Sequence, residues 1–239
     1  MANHYLYFDG HSSREYFCHI EHKPSIPVPK AKYEEYVVDG RNGTLHADKG
    51  SYENVTASYD IYYHGKDPTA VVARAVKQWL VGRPGSHQLA DSYDPGFFYK
   101  AIASVDDKIE NKFNKYGKFT VNFDCDPRHF SIEGQNAIEL TNGQVLQNPF
   151  LQTALPYLVI SGTGENGTLT INGNDFEIGT YADKRIAVDG ENQNAYASDG
   201  TAVNNRVYGL WPELAEGENS ISWSGGISAV TLTPRWWTL

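Results

Sequence analysis

Cys18, His19 and His22 fall within the five residues CHIEH, and Cys125 and His129 make a second thiol–imidazole pair. Those residue types ligate zinc when four of them converge on a tetrahedral site. The pattern around them argues otherwise. EYFCHIEH alternates as a strand does, so Cys18 and His19 point to opposite faces and cannot easily share an ion. Two cysteines without CxxC spacing read as reduced, packed thiols. The acidic pairs Glu34-Glu35 and Asp106-Asp107 raise glycoside hydrolysis, which needs two carboxylates facing across a cleft. Neighbours in a strand diverge, and Asp106-Asp107 before Lys108 reads as a solvated turn. The glycine-rich GTGENG (residues 162–167) lacks the Lys-Ser/Thr and following helix of a phosphate loop, and is expected to be a hairpin loop. The sequence therefore predicts no catalytic residue, no cofactor and no metal, in a protein that is not an enzyme.

Aromatic side chains are a better lead. Trp211, Trp223, Trp236 and Trp237 lie in a strand-rich C-terminal stretch, and an exposed aromatic face can stack on a sugar ring. This supports one reading of the chain, a carbohydrate-binding, lectin-like module of a bacterial surface protein. Trp223, flanked by Ser222 and Ser224, is expected instead to face inward and be buried.

The 239 residues allow one large domain or two ordinary ones, and 40% hydrophobic with 21% charged residues is ordinary for a folded chain. The 22 Gly and 16 Tyr favour short strands joined by tight turns. No run reaches the ~18–20 apolar residues of a membrane helix. MANHY shows no basic-then-apolar leader, so Asn42, Asn54 and Asn166 in Asn-X-Thr sequences are read as turn or strand residues. A net charge of −9 argues against a nucleic-acid footprint.

Charge and periodicity divide the chain. Residues 1–133 hold 16 basic and 18 acidic residues and all eight His, whereas residues 134–239 hold 4 and 11. A boundary is expected there, within SIEGQNAIELTNGQ. Alternating strands, with turns at Asp39-Gly40 and Asn42-Gly43, surround a single helix in the first part. That helix is read from DPTAVVARAVKQWLVG, with Asp67 as N-cap, Pro68 in the first turn and Gly82 at its end. Val71, Val72, Ala75, Trp79 and Leu80 form its apolar stripe. The second part reads as short strands punctuated by Gly, Asn and Asp, the pattern of a β-sandwich. The fold class expected is thus mainly β: a β-rich domain with one α-helix, then a sandwich.

Taken together, TLTING (168–173), IAVD (186–189), YASDG (196–200), WPELAEGENSISWSG (211–225) and PRW (234–236) resemble the C-terminal domain of the siphophage distal tail proteins, the Dit family. VDGRNGTL (38–45) resembles that family's Gly-Arg-Asp/Asn-Gly turn, through Gly40, Arg41 and Gly43. Trp237 departs from the polar residue usual in relatives. The resemblance implies residues 1–133 as a ring-forming, hexamerising domain and residues 134–239 as a galectin-like or carbohydrate-binding-module-like sandwich. It implies a structural hub in the virion tail tip, made in the bacterial host cytoplasm, in the short form without a carbohydrate-binding insertion. Its partners would be itself, as single or back-to-back hexamers, the major tail tube protein, the tail-associated or fibre protein and the receptor-binding protein. DNA would pass through the lumen without specific binding, and no membrane is involved. Within WPELAEGENSISWSG, Trp211, Pro212, Gly217, Asn219 and Trp223 read as an architectural corner, with Pro234, Arg235 and Trp236 closing the motif. The stiff segment carrying Pro24, Ile26, Pro27, Val28 and Pro29 is the expected subunit-interface arm.

Overall fold

Val55, Ala57, Tyr59, Ile61 and Tyr63 are all buried and every intervening residue is more open, the period of two that writes a strand with one dry face. The computed structural model describes residues 4–105, 110–113, 115–181 and 183–239, so Asp106-Asp107 lies outside the described residues. The chain divides into two units, one up to His129 and one from Phe130 to Thr238, whereas the sequence reading sets its boundary at residues 133 and 134.

The first unit carries β1 (Leu6–Phe8), β2 (His11–Ser12), β3 (Cys18–Ile20), β4 (Ala31–Tyr36), β5 (Leu45–Tyr52) and β6 (Val55–His64). Then come α1 (Thr69–Val81), β7 (His87–Asp91), β8 (Phe97–Val105), β9 (Glu110–Phe113) and β10 (Tyr116–Cys125). An antiparallel sheet runs β2-β1-β7-β8-β10-β6-β3, with β9 beside β10. Its dry face joins Phe119, Val121 and Phe123 to the β6 residues and to Val72, Val76, Trp79 and Leu80 of α1 in one core. The Trp79 indole N–H, carried inside, donates to the Phe8 carbonyl at 2.9 Å, so that ring nitrogen is not stranded. The opposite face is wet, with Ser58 bonding Asn122 and Thr120 bonding Asp60 across β6 and β10.

Two details of the helix and one of the strands before it differ from the sequence reading. Pro68, with ψ 136°, is still extended and takes the cap position, so the helix starts at Thr69 and the Asp67 side chain caps nothing. Val76 and Thr69 are buried in the stripe, while Val71 is exposed and Ala75 only half-buried. The sequence expects one long strand in SYENVTASYDIYYHG; the chain instead breaks between β5 and β6 at Glu53-Asn54.

β11 (His129–Ser131) straddles the boundary, and the second unit goes on with β12 (Ile138–Leu140), β13 (Gln144–Asn148), β14 (Tyr157–Ile171), β15 (Asn174–Ile178) and β16 (Arg185–Asp189). β17 (Asn194–Ala197), β18 (Val207–Gly209), β19 (Gly217–Thr233) and β20 (Trp237–Thr238) complete it. The long strands β14 and β19 pair along both halves, from Tyr157↔Thr233 to Ile171↔Ile221. One half of the pair is flanked by β12 and β16 with β17; the other is flanked by β13 and β15 with β18. Leu158, Ile160, Val230 and Leu232 from one half share a core with Leu169, Ile171, Phe176 and Ile221 from the other. A single sheet is thus folded over itself into two layers, and its crease passes through two strands common to both.

The crease is GTGENG. It is not a hairpin loop: the register jumps from Gly162↔Ile227 to Gly167↔Gly225, so a wide bulge turns the corner inside β14. Backbones press together there, and a Cβ at Gly162 would collide with the Gly226 carbonyl. A true two-residue hairpin follows at Asn172-Gly173, whose φ values of 52° and 80° suit that dipeptide.

Candidate functional site

Among the described residues no group of three or more His, Cys, Asp or Glu is placed to hold a metal. Cys18 and Cys125 are fully buried free thiols. Burial pushes each up to about 12, so neither is a nucleophile at neutral pH. Glu34 and Glu35 are both exposed on β4, and Glu35 sits 3.7 Å from His46 across the hairpin.

What stands out instead is an exposed arm on the first unit. β4 and β5 form a two-stranded sheet separate from the main one, exposed on nearly every residue. Its turn uses Gly40 and Gly43 at φ 80° and 82°, and the Arg41 N–H donates to Val38 O. Val37 is 83% exposed, and Val38, Tyr33, Tyr36 and Leu45 are exposed beside it. The preceding proline segment has two sides. Pro24, Pro27 and Pro29 are half-buried, Pro24 and Pro27 lining a cavity with Tyr93, Phe97 and Tyr99, while Ile26 and Val28 are each 80% exposed. A bare hairpin is marginal in water, and soluble proteins rarely leave so many apolar side chains together in solvent. Sequence reasoning found the turns and the prolines but not this exposure; the unalternating run YVV before the turn is the signal that marks it.

In the second unit the corner is pinned by buried amides. Asn219 is fully buried; its Oδ1 accepts from the Ala215 N–H and the Asn172 amide, and its Nδ2 donates to Ala215 O and Gly217 O. Leu214, also fully buried, exchanges two backbone bonds of 2.9 Å with Ala154. Pro212 is buried, and Gly217 holds φ 78°. Trp223, against the sequence expectation, is only half-buried: it flanks the core on the Ile221 face, its backbone bracketed by the Asn142 amide. Trp236 is buried, packed so closely that a Cβ on Gly134 would meet its backbone nitrogen at 2.6 Å.

The IAVD and PRW segments meet. Arg235 follows the buried Pro234 just past the end of β19 and holds φ 59°, and its guanidinium bonds Asp189 at 2.6 Å. Burial pushes the Asp189 carboxyl up, but bonds from Arg235 and Asn192 outweigh it and hold the group below the usual carboxylate range. A depressed carboxylate stabilises above its unfolded pKa, about 3.9, and that stabilisation is lost as pH falls through the lower folded value. Arg235→Met should therefore cost about 3 kcal/mol at pH 7 by leaving Asp189 buried and unpaired. The deficit should shrink at pH 2–3, where Asp189 in the variant is neutral; urea melts at both pH values read it. Equal deficits would show that the arginine acts only by packing.

No family model and no curated protein matches the chain. Solved structures do match, over nearly the whole of this chain and of theirs, and the class they define is one of fold, shared with a phage hub protein and phage baseplate chains. The Dit protein of phage SPP1, described as a paradigm of the hub adsorption apparatus in phages infecting Gram-positive bacteria, superposes with TM-score 0.72 over 99% of both chains at 13% identity. Phage p2 baseplate chains in the activated conformation match at TM-score 0.57 with calcium (11% identity, 97% of each chain) and with strontium (8% identity, 96% of each). In fold, the chain is Dit-like.

Proposed function

We propose that this chain is the structural hub subunit of a siphophage or prophage tail tip, working without catalysis. The observation that carries the reading is the end-to-end match to a hub protein, covering both units at once. The exposed arm supports self-association. In a closed ring each subunit presents one patch to a different patch on its neighbour, so an uncovered apolar hairpin on every copy is an expected half of such a contact. Six copies would join the tail tube protein on one side to the tail-associated, fibre and receptor-binding proteins on the other. The near-balanced charge of residues 1–133 suits a lumen through which DNA passes without being held by counterion release.

The test is the state of the purified full chain. Light scattering should give six times the chain mass, or twelve for back-to-back rings, and negative-stain micrographs should show rings. A monomer throughout the micromolar to millimolar range would end the hub reading.

A further inference from the structure

Trp211 does not disappear into the core; it forms one wall of a cavity of about 250 Å³ in the second unit. The floor is apolar, made by the buried Ile171 and Phe176, with the Trp211 and Phe176 rings 5.4 Å apart and tilted by 48°. The rim is polar. Asn174, Gln193 and Glu213 all line it, all are exposed, and among the described residues none of the three side chains has a hydrogen-bond partner or an ion pair. Gln193 keeps its place at φ 50°, in the left-handed region that favours glycine or asparagine, so the turn holds a large polar side chain at the mouth against its backbone preference.

We propose that this pocket binds one neutral hexopyranose ring of a glycan. The cavity lies below the range of about 300–1,000 Å³ that takes drug-sized ligands, so a single six-membered ring suits it. The C–H face of a sugar lies on the indole and the apolar floor. The hydroxyls then meet two amides, which donate and accept, and a carboxylate, which accepts. An apolar side chain from a protein partner would fill the floor but desolvate three unmatched polar groups, which is unfavourable. Anionic ligands are disfavoured by Glu213 and by the excess of 11 acidic over 4 basic residues in residues 134–239. The proposal does not rest on the hub reading, because a monomer would carry the same pocket.

Saturation-transfer NMR on the full chain, with glucose, galactose, mannose, rhamnose and N-acetylglucosamine, tests it. Sialic acid serves as the anionic control and phenol as the apolar probe. At least one neutral hexose should receive saturation on its ring C–H protons, with an affinity near millimolar. Glu213→Gln and Asn174→Ala, both at exposed positions, should each weaken binding about tenfold, the effect of one lost hydrogen bond. Trp211→Ala should abolish it, while Trp211→Phe should retain part. Silence from every neutral hexose well above millimolar concentration overturns the proposal. So does sugar binding unchanged in all the variants, and so does a pocket that takes phenol and no sugar. Rings without sugar binding, or sugar binding without rings, separate this proposal from the hub.

Discussion

Charged substitutions on the arm, Ile26→Asp with Val28→Asp or Val37→Asp with Val38→Asp, should leave the thermal melt of the chain unchanged and weaken its assembly more than about 100-fold. That corresponds to at least about 2.7 kcal/mol, the scale of an interface hot spot. The two halves of the expectation come from one observation. Ile26, Val28 and Val37 are each at least 80% exposed in the single chain and Val38 45%, so a carboxylate at these positions desolvates little and removes little packing. In an assembled ring the same positions would be dry, and an unpaired buried charge is among the costliest groups an interface can hold. Sedimentation and light scattering read the assembly, and calorimetry under dissociating dilution reads the fold. Intact hexamers in both double variants would clear the arm of any part in the ring. A lowered melt in the isolated chain would mean that these residues pack internally.

Asn219→Ala should lower the unfolding free energy by about 3 kcal/mol in urea melts. The amide closes the 215–219 corner on itself through Ala215 and Gly217 and ties it to the Asn172 turn. Its loss strands buried-side donors and acceptors at about 1–3 kcal/mol for each that water cannot reach, and leaves a small void. Gly217→Ala is the control. The same turn is involved, but only the φ of 78° is strained, with no atom nearer than 3.9 Å to the added Cβ, so about 1 kcal/mol is expected. Similar losses for both variants would show that the corner's backbone shape, not its buried amide, sets its stability.

The strands with one dry face were legible because burial on one side imposes alternation, as in β6 and β10. The helix was legible because its period changes at Pro68. Its stripe is right at Val72, Trp79 and Leu80 but takes Val71 and Ala75 in place of Thr69 and Val76, because Val71, Ala75 and Val76 are all apolar and only the sheet beneath chooses among them. GTGENG carried its glycines openly, yet whether they serve a loop or a crease depends on a strand more than fifty residues later in the chain. Trp223 obeys the alternation and still stays half-open, because it lies beside the core and not within it. Nothing local announces the Asp189–Arg235 pair, and the WPEL stretch gives no hint that Asn174 and Gln193 gather beside Trp211. Exposure of the hairpin is a property of what fails to cover it, which no window of sequence contains.

The crease through β14 and β19 also sets a timescale. Neither layer of the second unit has its own central strands, since each borrows half of both, so one layer cannot form while the other waits. Every β14–β19 pair, from Ile171↔Ile221 outward to Tyr157↔Thr233, closes a long loop before any contact rewards it. Refolding of this unit should therefore be a single slow event on the millisecond-to-second scale of non-local β topologies. Amide exchange in β14 and β19 should be the slowest in the unit and uniform across the crease, with both halves opening together or not at all.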